Sequence, residues 1–174
     1  MKILGFIFES KPGVGAHVDH SIFKFNRALW SLTHLRRANI NNVTLLEVYK
    51  VMLLPILEYC AVIYNPMLTQ EQEQNLERQQ KRALQIIYGF KKNYEELLTT
   101  AGIVTLKQRR EKMCSDFAAK LAASERFSDL FPLATHPEGT VVTRGRKTYQ
   151  ESFARTSRLY NSPLFSMRRQ LNDT

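Results

Sequence analysis

Four aspartates, Asp19, Asp116, Asp129 and Asp173, are the first residues to weigh for chemistry. Two-metal catalysis needs carboxylates that bracket ions about 4 Å apart, and no two of these are adjacent or spaced to hold such a pair. His17 and His20 stand three apart, a spacing that can put both on one helical face, but no cysteine or acid pair completes a zinc site. Neither Cys60 nor Cys114 has a neighbouring histidine to make it a thiol nucleophile. The segment "KPGVG" lacks the Gly-Lys-Ser/Thr that ends a phosphate loop. No catalytic residue, metal site or cofactor is therefore expected from local patterns.

What remains is the distribution of cations. The chain carries 25 Lys+Arg against 16 Asp+Glu, a formal charge of +9, which argues for an acidic partner such as nucleic acid or an anionic membrane surface. Lys24, Arg27, Arg36 and Arg37 sit on one expected helix, Lys81 and Arg82 on another, and Arg144, Arg146, Arg155, Arg168 and Arg169 in the tail. Together they could line a groove that follows phosphates, since each neutralised phosphate releases counterions. Tyr88, Tyr94, Tyr149 and Tyr160 lie near basic residues and could stack on bases. The competing reading is plain: Lys and Arg on amphipathic helices form solvated faces, and tyrosines fill gaps in a core.

The elements that would position these residues are mostly helical. Ile3 to Phe8 is short and β-rich, and "ESKPGVG" after it marks a loop. From Val18 the apolar residues Ile22, Phe25, Leu29 and Leu32 recur at helical steps, ending near Arg36 and Arg37. Thr44 is the expected cap of a helix from about Leu45 to Tyr64, apolar on most sides and therefore buried, with a kink at Pro55 and an acid, Glu58, that needs a cation or several donors. Thr69 opens a third helix with Gly89 just past its end, "YEELLTTAG" is a short helix closed by Gly102, and Thr105 caps another with Leu106, Arg110, Met113, Phe117 and Leu121 in register. On that stripe the Arg110 stem lies along apolar surface with its charge in water. After Phe127 the chain reads as loop, with one short strand at Thr140–Thr143, and from Arg144 onward seven Lys/Arg face two acids. Two cysteines inside apolar patterns suit a reduced, intracellular protein in nucleus or cytoplasm, and the longest apolar window, Val51 to Tyr64, is shorter than the roughly 20 residues that span a bilayer. "MKILGFIF" is too short an apolar run for a signal peptide.

Six segments, taken in order, resemble the C-terminal end of jockey-like non-LTR retrotransposon reverse transcriptases. They are "KILGFIFES", "HVDHSIFKFNRALWSLTHLRR", "LLEVYKVMLLPILEYCAVIYNP", "LERQQKRALQIIYG", "LTTAGIVTLKQRREKMCSDFAAKL" and "RLYNSPLFSMRRQLN", and they cover almost the whole chain. The resemblance implies that residues 1–16 are a palm-strand remnant in which Leu4 and Gly5 match the Leu-Gly near the primer grip. It implies a thumb-like helical bundle over 17–90, further helices over 91–127, and a loop-rich basic extension over 128–174. The expected fold class is mainly α: a thumb-like bundle with one short N-terminal strand and an irregular C-terminal extension.

In the family, element RNA is copied into DNA with magnesium held by palm aspartates, and the thumb holds the template–primer. The Ala-Asp-Asp element, the finger motifs and the endonuclease are not in this sequence, so the chain resembles a fragment: a truncated copy or a gene model begun at an internal methionine. The missing palm and fingers would be its partners, with RNA–DNA or RNA template–primer, and no polymerase activity is expected of it alone. Two alternatives stand beside this: a basic helical module that docks a protein partner through the apolar Ile3, Leu4, Phe6, Ile7 and Phe8, or a relic without function.

Overall fold

The computed structural model describes residues 1–9, 13–134, 147–151 and 153–173. The protein is mainly α-helical, with a single two-stranded sheet among the described residues. No helix among them is long and apolar enough to cross a membrane. The short strand expected at Thr140–Thr143 lies outside the described residues.

The N-terminal strand is folded in two. β1 (Lys2–Ile3) pairs antiparallel with β2 (Phe6–Ile7), and the turn between them is Leu4-Gly5. Both turn residues have positive φ, +46° and +85°, the backbone of the two-residue hairpin turns whose twist matches that of the strands. Met1 and Phe8 extend the pairing through reciprocal backbone bonds of 2.9 and 2.7 Å. Helix α1 (Gly15–Arg37) buries His17, Val18, Ser21, Phe25, Leu29 and Leu32.

The apolar run that follows is not one helix. α2 (Asn42–Val48) is capped by Asn41, whose side chain accepts from the Thr44 amide, so the start lies three residues before the expected cap. Tyr49–Leu53 is a π-helical turn, α3 spans Leu54–Glu58, and after a break at Tyr59 and Cys60 come α4 (Ala61–Tyr64) and a 3₁₀ turn, Asn65–Met67. The π turn has a cause in sequence. Pro55 has no N–H, and its ring would strike the carbonyl four residues back in a regular α-helix; here the turn widens so that the Leu54 amide reaches back to Tyr49. The buried residues Leu45, Tyr49, Leu53, Leu57 and Ala61 recur every four residues. That stripe drifts about 40° per step round an α-helix, and a wider turn removes part of the drift. Val51, Met52 and Tyr59 are thereby turned outward, contrary to the expectation of a helix buried on most sides. At the break Tyr59 has φ −58° and ψ 124° and Cys60 has φ +59°, a reversal of the type-II kind with a cysteine where glycine is usual.

α5 (Gln70–Tyr88) opens with a capping box between Thr69 and Gln72. α6 (Tyr94–Ala101) has a second box, Asn93 with Glu96, and ends at Gly102 in the left-handed conformation. α7 (Leu106–Ala122) starts at Thr105, whose hydroxyl accepts from the Gln108 amide at 3.2 Å. Its buried positions are Leu106, Arg110, Cys114 and Ala118, while Phe117 faces solvent, so the expected register fails after its second turn. A 3₁₀ segment (Glu125–Leu130), α8 (Ser157–Tyr160) and α9 (Pro163–Asp173) complete the elements.

Two compact units result. The first comprises Met1–Ala61 and Leu68–Arg110; in it α1 packs on α5, on α3 and on the π turn, and α5 packs on α2 and α6. The second comprises Val62–Met67 and Glu111–Thr174, with a core of Ala118, Phe131 and Met167 bordered by Val62, Leu121, Tyr149, Leu164 and Leu171.

Candidate nucleic-acid interface

In the first unit several polar groups inside the bundle are matched to partners. Glu58 receives the Arg109 guanidinium in fork fashion, Nε to Oε1 at 2.5 Å and a terminal nitrogen to Oε2 at 3.2 Å, which supplies the cation its position demands. Arg110 is wholly buried rather than wet at its tip, with a terminal nitrogen 3.9 Å from Glu73. The buried Tyr49 hydroxyl donates to Gln80 at 3.1 Å, and the Gln80 amide donates to the Val104 carbonyl at 2.9 Å. Glu77 accepts the Lys107 amide (2.7 Å), the Leu106 amide (3.4 Å) and the Tyr94 hydroxyl (2.5 Å). It therefore satisfies the orphan amides at the start of α7 from a different helix. Burial, with the nearby charge of Glu58 for Tyr49 and the bond to Glu77 for Tyr94, pushes both hydroxyls well above the usual tyrosine range. These groups do structural work, and Tyr94 has its hydroxyl occupied.

The basic residues are disposed differently. Lys24, Arg27 and Arg37 on α1 and Lys81 on α5 are exposed, and among the described residues none of them pairs with a carboxylate. Arg82 reaches from α5 to the Asn26 side chain of α1 at 3.4 Å. Arg36 points elsewhere and donates to Asn42 at 2.9 Å, bridging the α1–α2 turn.

Leu4 and Gly5, expected near a primer grip, form the hairpin turn, and Tyr59, at the break after α3, holds it. The Tyr59 hydroxyl donates to the Leu4 carbonyl, and a Cβ on Gly5 would lie 2.9 Å from that hydroxyl. Gly5, His17, His20, Lys24, Pro55 and Tyr59 line a cleft of ≈ 360 Å³, so Gly5 and one of the expected cations share a wall. His17 stacks on Phe6 with ring centroids 4.3 Å apart and places Nε2 3.3 Å from the Tyr59 carbonyl. Burial holds its pKa below 6.5.

In the second unit Arg155 is exposed. Arg168 is buried and donates to the Leu130 carbonyl at 2.9 Å; Arg169 donates to the Tyr160 carbonyl at 2.7 Å and lies 3.7 Å over the Tyr160 ring. Both are committed to holding α9 in place. Tyr149 packs on Phe131 in the core rather than offering a free face. Arg144 and Arg146 lie outside the described residues.

Sequence reasoning passed over one feature of α1. Phe23 and Trp30 lie on the side opposite the buried stripe, 59% and 65% exposed, and Arg27, His34 and Arg37 fall on the same side. The signal was legible: positions 23, 27, 30, 34 and 37 repeat at steps of 4, 3, 4 and 3.

Among the described residues no three His, Cys, Asp or Glu side chains gather as metal ligands. Compared with known proteins, the chain matches no family model, no curated protein and no solved structure.

Proposed function

We propose that this chain is the thumb and C-terminal extension of a non-LTR retrotransposon reverse transcriptase and contributes nucleic-acid contact rather than catalysis. The ordered resemblance of its six segments leads to the family. The observation that carries the contact is the set of exposed cations Lys24, Arg27, Arg37 and Lys81 on two packed helices, none of them paired with a carboxylate among the described residues. Cations not already matched to carboxylates are free to neutralise phosphates, and doing so releases condensed counterions. Magnesium in such a polymerase belongs to palm aspartates, which this portion does not supply.

Fluorescence anisotropy with a labelled RNA–DNA hybrid tests the contact. The reading expects binding at low salt that Arg27→Glu with Lys81→Glu abolishes, while the same exchange at Glu125 to Lys leaves it intact or stronger. A double variant that binds as well as the parent would refute it. The other reading, docking of a protein through the hairpin's apolar surface, draws on the exposure of Ile3, Leu4 and Phe8. Size-exclusion chromatography separates the two, because that surface would drive self-association that Leu4→Ser relieves.

A further inference from the structure

We infer that the outward face of α1 is a stacking platform for unpaired bases, with Trp30 as its principal contact and Arg27 and Arg37 on the flanking phosphates. The inference rests on the nucleic-acid reading above and specifies the form of strand that this face takes.

Two large aromatic side chains exposed on one helix face, opposite its core stripe, are not accounted for by folding. Large exposed apolar groups that gather on a surface mark a binding site. The character of the face selects the occupant. Cations and aromatics alternate along it: Phe23, Arg27, Trp30, His34, Arg37. The sole acid of α1 is Asp19, one turn before Phe23, so the rest of the face is positive. Aromatic planes interleaved with cations complement a chain that alternates base planes with phosphates. A purely apolar partner would leave Arg27 and Arg37 to be buried without counter-charge.

Local geometry prepares Trp30 for this role. The His34 ring lies 3.7 Å from the indole, centroid to centroid, and its Nδ1–H donates to the Trp30 carbonyl at 3.0 Å. The imidazole is thus held against one side of the indole and restricts its rotamers, while the indole remains 65% exposed. Less side-chain freedom is then lost when a base stacks. Phe23 and Trp30 are seven residues apart, about 10.5 Å along the axis. That is roughly three steps of a stacked strand, which advances about 3.4 Å per nucleotide. A base-paired duplex hides its base planes in the stack, so the aromatics select a single strand, while Arg27 and Arg37 meet the phosphates of either form.

Trp30 is the only tryptophan in the chain, so its emission reports the site directly. The test titrates the full chain with oligothymidylate and with oligouridylate, to separate DNA from RNA, and follows both tryptophan emission and anisotropy of labelled oligomers. The expected result is saturable quenching with at least one of them, about tenfold weaker binding for Trp30→Ala, and near-parental binding for Trp30→Phe. Emission unmoved while the oligomers bind by anisotropy would overturn the platform and leave the nucleic-acid reading standing. Binding of neither single strands nor the RNA–DNA hybrid would overturn both. If Trp30→Ala leaves oligomer binding unchanged and instead abolishes self-association, the face is a protein contact and the inference fails.

Discussion

Replacing Glu58 by Gln removes the charge that Arg109 is held by, and the structure bounds what this costs. The pair makes two hydrogen bonds, at 2.5 and 3.2 Å, with the Glu58 side chain 11% exposed and that of Arg109 37% exposed. Removing one member of a fully buried pair costs about 3–5 kcal/mol, whereas an exposed pair contributes roughly 0.2–1 kcal/mol. With one end nearly dry and the other open to water, about 1–2 kcal/mol is expected for Glu58→Gln, and a similar loss for Arg109→Gln. The double variant is expected to fall short of the sum by about 1 kcal/mol, because each single change already breaks the same fork. Glu58→Leu is expected to be milder than Glu58→Gln, since Leu fills a largely buried position and Arg109 can turn to water. Urea denaturation of the four proteins of the cycle measures these differences. Additivity within about 0.3 kcal/mol would show that Glu58 and Arg109 do not act as a pair.

Stability is expected to fall with acid through His17. Burial holds its folded pKa below 6.5, so the unfolded chain takes up a proton more readily; the full contribution is present above 6.5 and declines as pH drops through it. The melting temperature is expected to decline between about pH 7.5 and 5.5, less steeply in His17→Phe, and equal slopes for the two proteins would contradict this. Glu77→Ala is expected to cost about 2 kcal/mol and to accelerate amide exchange at Leu106 and Lys107, which lose their acceptor; unchanged exchange there would be the contrary result. Gly5→Ala is expected to destabilise by about 1–2 kcal/mol, from the +85° φ and the nearby Tyr59 hydroxyl, and a neutral melt would mean that the turn is not held as described.

Much of the fold is written in short-range signals. Thr69, Gly102 and Thr105 mark their helix ends because capping is decided within three or four residues. The division of Leu45 to Tyr64 is not, since Cys60 is no turn former and the hydrophobic pattern continues across it. Tertiary contacts give the break its partners, the Tyr59 hydroxyl bonding Leu4 fifty-five residues away and the Tyr59 carbonyl meeting His17. Arg110 misled for a related reason: its neutralising Glu73 is on another helix, and one helix read alone places a cation in water. Of the candidate interface, the cations were legible as types, but which are free was not. Arg36, Arg168 and Arg169 look no different in sequence from Arg27, and only folding supplies the carbonyls and amide oxygen that occupy them. Phe23 and Trp30 were legible by spacing, once the face opposite the core was read with the same care as the core itself.

The salt dependence of binding to an RNA–DNA hybrid tests the central claim most directly. If Lys24, Arg27, Arg37 and Lys81 neutralise four phosphates, log K is expected to fall linearly with log salt with a slope of about −3 to −4. Charge reversal at Lys81 is then expected to make that slope shallower by roughly one unit or more. A flat dependence, or no binding at low salt, would contradict the claim that this chain contacts nucleic acid.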